Sequence, residues 1–160
     1  MIGHFDLATQ VVQAAKANRV MIATAESCTG GMIAASLTDV AGSSAVFDRG
    51  FVTYSYPAKT EILNVSEEML NEYGAVSEPV ARQMALGALA ASNANITIAV
   101  TGVAGPGADG EKPEGLVWFG LATTDGIETR ERNFGPIGRD NVRLATVETA
   151  LTWLLAEITD

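Results

Sequence analysis

Short runs of apolar and β-branched residues alternate along this chain with longer segments of helical spacing, and few folds satisfy that alternation. Residues 19–24 (Arg-Val-Met-Ile-Ala-Thr) and 96–101 (Ile-Thr-Ile-Ala-Val-Thr) read as short apolar strands, the second of them buried. Residues 45–55 are β-branched and aromatic and predict another strand, bulged at Gly50. Around them, Phe5, Ala8, Val11, Val12 and Ala15 place a helix over 5–18, and a second follows the polar turn at 25–31, over 32–37. Pro57 is placed to begin a short helix carrying Lys59, Ile62 and Leu63, and Ser66 to begin another that Gly74 closes. Residues 77–79 open a long helix rich in small residues, to about Ala94, and its Ala81, Met84, Ala85, Ala88 and Leu89 would lie flat on a sheet. Strands over 116–123 and 127–134 meet at Thr124-Asp125-Gly126, a hairpin signal, and a last helix runs over 139–157. The expected fold is α/β: one three-layer α/β/α domain over residues 1–160, with a mixed sheet that ends in an antiparallel hairpin.

At 160 residues and 48% hydrophobic content the chain is long enough to bury one sizeable core. Its 19 acidic and 10 basic residues leave a net charge of −9 and no basic stripe, which argues against nucleic acid as a partner. Any anionic ligand is then held by a few local donors. One cysteine, Cys28, excludes an intramolecular disulfide and a cysteine-based zinc site. The first 19 residues lack the basic and apolar regions of a signal peptide, and no apolar run approaches ~20 residues, so a cytoplasmic location without membrane contact is expected. His4 is the only histidine and lies in the N-terminal segment, so a general base here is expected to be some other residue.

Four segments carry potential chemistry. In Glu26-Ser27-Cys28-Thr29-Gly30-Gly31 a serine sits where a strand turns into a helix. Backbone N–H groups at the helix start suit an oxyanion, and the glycines admit a close substrate. Against this, Ser27 or Thr29 can simply cap the helix, and Cys28 can be a small buried hydrophobe. In Thr53-Tyr54-Ser55-Tyr56-Pro57-Ala58-Lys59, the lysine is a general base only if burial or a nearby cation lowers its pKa; otherwise it is a solvated surface group. The tyrosines offer a partly dry wall and a hydroxyl to orient the amine.

The tract over 101–115 contains Gly105, Gly107 and Gly110 at G-x-G-x-x-G spacing, but it leads into a strand and not a helix, which rules out a Rossmann loop. It reads either as a ligand loop after a buried strand or as a plain connection. Arg139 and Arg143 lie one turn apart at the start of the last helix and fit a phosphate-binding pair, although Asp140 also fits an ordinary mixed surface.

TAESCTGG (24–31), AGSS followed by F-x-RGFVTYS (41–55), Ala58-Lys59, GAVSEPV (74–80), TGVAGPG (101–107) and KPEGLVWFG (112–120) occur in one order along the chain. Together they resemble the CinA C-terminal domain family, which includes stand-alone nicotinamide mononucleotide deamidases. The resemblance implies an α/β/α fold and hydrolysis of a nucleotide's carboxamide to the acid and ammonia. No cofactor or metal is implied. It casts Ser27 as nucleophile and Lys59 as base, with Tyr54 and Thr101 nearby. Glu26, Thr29, Gly30, Gly31, Gly105, Arg139 and Arg143 become candidates on the substrate side, with N–H groups at 29–31 for the oxyanion. The implied partner is a small nucleotide, and a homo-oligomer is left open. The rivals are a non-catalytic nucleotide-binding or regulatory module, and an amidohydrolase for another pyridine nucleotide.

Overall fold

Ile22–Glu26 (β1) lies at the parallel heart of a five-stranded sheet, between Phe47–Val52 (β2) and Ile96–Gly102 (β3). Leu116–Thr123 (β4) and Gly126–Asn133 (β5) add to β3 in antiparallel register, giving the order β2-β1-β3-β4-β5. The computed structural model describes residues 4–160. Residues 1–3, part of the stretch read for a leader, lie outside them.

Helices cover both faces, which is why every residue of β1 is buried. On one face Phe5–Asn18 (α1), Met32–Thr38 (α2) and Arg139–Thr159 (α6) pack on Ile22, Ile98 and Phe119. On the other, Tyr56–Leu63 (α3), Glu67–Tyr73 (α4) and Glu78–Ala90 (α5) pack on small strand residues, Ala25, Ala99 and Ala122. Those residues let α5 approach closely: a Cβ on Gly120 would lie 2.5 Å from the Ala81 carbonyl. The α/β/α layering and mixed sheet are as expected.

The helix starts obey local chemistry. The Ser55 hydroxyl accepts from Ala58 N–H at the head of α3, with Pro57 in its first turn, and Ser66 caps α4 through Met69 N–H. The strand expected over 45–55 is shorter, Phe47–Val52, and three further departures from the sequence expectation have local causes. β1 starts at Ile22 and not at 19, because Arg19 adopts a left-handed conformation (φ 55°) and Val20 N–H donates back to Ala15, closing α1. α5 ends at Ala90 and not near 94, because the Ser92 hydroxyl donates to the Ala88 carbonyl and accepts from Ala94 N–H. The irregularity in β2 falls at Asp48, where Ile22 pairs with Phe47 but Ala23 with Arg49, and not at Gly50. Asp48 is drawn out of register by the Arg49 side chain and Asn93 N–H. Among the described residues, no helix is long and apolar enough to cross a membrane.

Candidate active site

The chain leaves β1 at Glu26 and turns through 27–31 into α2, at the carboxyl ends of the parallel strands where α/β sheets form ligand crevices. Ser27 N–H donates to Val100 O at 3.1 Å, extending the β1–β3 ladder, and Gly30 N–H closes the turn on Ser27 O at 3.1 Å. Gly30 and Gly31 both need positive φ, 58° and 105°, so the tight turn depends on them.

The buried Glu26 side chain accepts from Thr29 Oγ1 at 2.5 Å, Ile33 N–H at 2.9 Å and Ala34 N–H at 3.0 Å. The first-turn donors of α2 are therefore already capped by the protein itself, and Met32 N–H donates to Thr29 O. The N–H groups of Cys28, Thr29 and Gly31 find no acceptor in another described residue. Of these three residues only Cys28 lines the cleft; Thr29 is fully buried.

Lys59 enters from α3, with none of its surface exposed. Its Nζ lies 2.8 Å from Ser27 Oγ, 2.6 Å from Thr53 O and 3.1 Å from Tyr54 O. A neutral amine has two hydrogens and one lone pair. Two carbonyl acceptors take the hydrogens, which leaves the lone pair for the Ser27 hydroxyl. Burial lowers the lysine pKa from 10.5 to about 8, against a smaller opposing effect from Cys28. The surface-lysine alternative therefore does not hold. The amine is oriented by backbone and not by a tyrosine hydroxyl: Tyr56 Oη accepts from Ala75 N–H and Tyr54 Oη from Arg139.

Ser27 opens on a cleft of about 320 Å³ walled by Tyr54, Tyr56, 75–76 and the glycine-rich loop, with Arg139 at its mouth. Arg139 donates to Gly105 O at 2.6 Å and to Tyr54 Oη at 3.1 Å, bridging the two walls. Thr101 Oγ1 donates to Ala75 O, fixing the segment whose N–H holds Tyr56. Glu114, which the sequence reading missed, accepts from Gly107 N–H at 2.6 Å and Gly138 N–H at 3.4 Å. A carboxyl group of the protein thus already sits at the head of α6. The only signal for it was a carboxylate beside a glycine-rich tract.

Arg143 does not share the cleft with Arg139. Its Nε donates to Cys28 O at 3.1 Å and its guanidinium NH2 to Thr29 O at 3.3 Å, behind the turn. Glu26, Thr29, Gly30 and Gly31 likewise shape the turn and do not line the cleft, whereas Gly105 lines it. Cys28 is buried, and burial pushes its thiol up to about 12. His4 contacts Leu144 O on α6 and lines no part of the cleft. Among the described residues, no group of three or more His, Cys, Asp and Glu is placed to hold a metal ion.

Residues 4–158 match the CinA C-terminal domain, and the chain belongs to that family. It is 50% identical over 154 residues to a protein of Enterobacter agglomerans named nicotinamide-nucleotide amidohydrolase PncC, covering 95% of this chain and 93% of that one. A protein of the same name from Escherichia coli K12 is 51% identical over 151 residues, covering 92% and 90%. A crystal structure of the competence/damage inducible protein CihA from Agrobacterium tumefaciens superimposes with a TM-score of 0.93 at 49% identity, covering 98% of this chain and 95% of the other.

Proposed function

We propose that this protein hydrolyses the carboxamide of nicotinamide mononucleotide, releasing ammonia, with Ser27 as nucleophile and Lys59 as its base. The observation that carries the reading is the Lys59 Nζ–Ser27 Oγ contact of 2.8 Å, made by an amine whose two other partners are carbonyls. The substrate follows from the name that relatives at about half identity share over nine-tenths of both chains.

Lys59 takes the Ser27 proton as Oγ bonds to the carboxamide carbon, and the amide oxygen becomes an oxyanion. Cys28 lines the cleft beside Ser27 and its N–H has no acceptor in another residue, so that N–H is the donor in this reading. The C–N bond then breaks, Lys59 returns the proton to the departing ammonia, and a water repeats the sequence on the acyl-enzyme. Arg139 is the cation at the cleft mouth and takes the phosphate. Tyr54, 60% exposed, and Tyr56 present ring faces to a cationic pyridinium. Tyr54 and Thr101 hold the cleft in shape rather than moving protons. A volume of about 320 Å³ suits one mononucleotide, at the low end of the ~300–1,000 Å³ of small-molecule sites.

The test is ammonia release from nicotinamide mononucleotide by the purified protein, with and without a chelator. Turnover is expected in both. Activity that chelation removes and one divalent ion restores would overturn the serine–lysine account, and binding without ammonia release would favour a regulatory module.

A further inference from the structure

In the turn that carries Ser27, the carbonyls of residues 27–29 are each held. Ser27 O accepts from Gly30 N–H, and Thr29 O accepts from Met32 N–H, both within the turn. Cys28 O has one partner among the described residues, Arg143 Nε at 3.1 Å, and the same guanidinium reaches Thr29 O at 3.3 Å. Arg143 stands 115 residues away in sequence, on α6, so this side chain ties the last helix to the two residues after the serine. A Cβ on Gly30 would come within 3.4 Å of the guanidinium, so the turn packs closely against it.

We infer that Arg143 is a positioning residue for acyl transfer: its two-pronged grip on Cys28 O and Thr29 O fixes the turn that aims Ser27 Oγ at Lys59 and the Cys28 N–H at the reacting carbonyl. A planar fork suits two carbonyls at once, whereas an ammonium is a single point donor. The cation, 3.1 Å from Cys28 O and outside the cleft lining, also favours negative charge on the developing oxyanion without touching substrate. Without Arg143, Cys28 O loses its partner and the peptide plane after Cys28 loses its reference, while the plane before it keeps only the bond from Gly30 N–H to Ser27 O. This role rests on the serine–lysine reading of the site and assigns Arg143 a task other than holding phosphate.

Two readouts test it. For turnover, Arg143→Ala is expected to lower kcat by about 10- to 100-fold, approaching the loss of one oxyanion donor, with KM changed by less than about threefold. Arg143→Lys should be nearly as slow, and guanidinium added to Arg143→Ala should restore part of kcat at an unchanged melting temperature. For the serine itself, a fluorophosphonate probe reports the turn without any nucleotide: Ser27 Oγ bonds to phosphorus, fluoride leaves, and Lys59 takes the proton. The labelling rate should fall in both Arg143 variants and stay near wild type in Arg132→Ala, an exposed arginine of β5 that does not line the cleft.

Normal labelling with a raised KM in the Arg143 variants would overturn the inference and return Arg143 to the substrate. If Arg143→Ala does not fold, Arg143→Lys carries the same comparison. Wild-type protein that labels at Ser27 but releases no ammonia would defeat the substrate reading, and the labelling rates would still decide the role of Arg143. Wild-type protein that does not label at Ser27 would defeat the nucleophile, and this role with it.

Discussion

In the proposed mechanism Lys59 and Ser27 divide the chemistry because the fold dries one and sets the other on a cleft. The amine is wholly buried with a pKa of about 8, so its neutral fraction grows as pH rises through that value. The kcat/KM profile should therefore ascend with a midpoint near 8, more than two units below free lysine. Lys59→Arg should be about as inactive as Lys59→Ala, since a guanidinium keeps the charge but stays protonated. An arginine variant with near-normal turnover would make Lys59 a binding group. Ser27→Ala should lose about 10³-fold or more in kcat while still binding nucleotide, and Cys28→Ser, replacing a buried thiol held near 12, should keep most of the rate. A dead Cys28→Ser with a live Ser27→Ala would reverse the two roles.

The helices matter here through how closely they pack. Gly87 on α5 backs directly onto α3: a Cβ there would lie 2.1 Å from the Leu63 carbonyl, which is backbone and cannot swing aside. Gly87→Ala should therefore destabilise the protein by about 1–3 kcal/mol, as overpacking does, even though alanine favours helix. Because α3 carries Lys59, kcat should fall with stability in that variant. Denaturant melts beside turnover test this, and unchanged stability would mean that α3 and α5 can part freely.

Gly87 also marks the limit of what was legible in the sequence. α1, α3 and α6 were placed well, since the apolar stripes of α1 and α6 and the Pro57 start of α3 are local. The parallel pairing of β1 with β2 and β3, and the close seat of α5, depend on residues far apart in the chain. The site divides in the same way. Ser27 and Lys59 stood out through their motifs, and Arg139 does line the cleft. The carbonyls of Thr53 and Tyr54 leave no mark on side-chain pattern, and Arg143 sits one helical turn from Arg139 yet faces the back of the turn.

For the whole molecule, a dry lysine makes stability depend on pH in a direction that can be worked out. Unfolded, Lys59 titrates near 10.5; folded, near 8. Below pH 8 it is protonated in both states, and the fold bears the full cost of the buried ammonium. The difference of 2.5 pK units corresponds to about 3 kcal/mol at ~1.36 kcal/mol per unit. Between 8 and 10.5 the unfolded chain binds the proton and the folded one does not, so this group adds stability as pH rises. Above 10.5 neither binds it. In Lys59→Met that dependence disappears, while Thr53 O and Tyr54 O lose a donor at a cost that pH leaves unchanged. The other titrating groups are common to both proteins and largely cancel in the difference. Relative to wild type, Lys59→Met should thus be most favoured below pH 8 and lose about 3 kcal/mol of that advantage by 10.5. Unfolding free energies for both proteins across pH 7–11 measure the slope directly. Parallel curves would show that Lys59 keeps its ordinary pKa inside the fold, and with it the case for a neutral amine at Ser27 would fail.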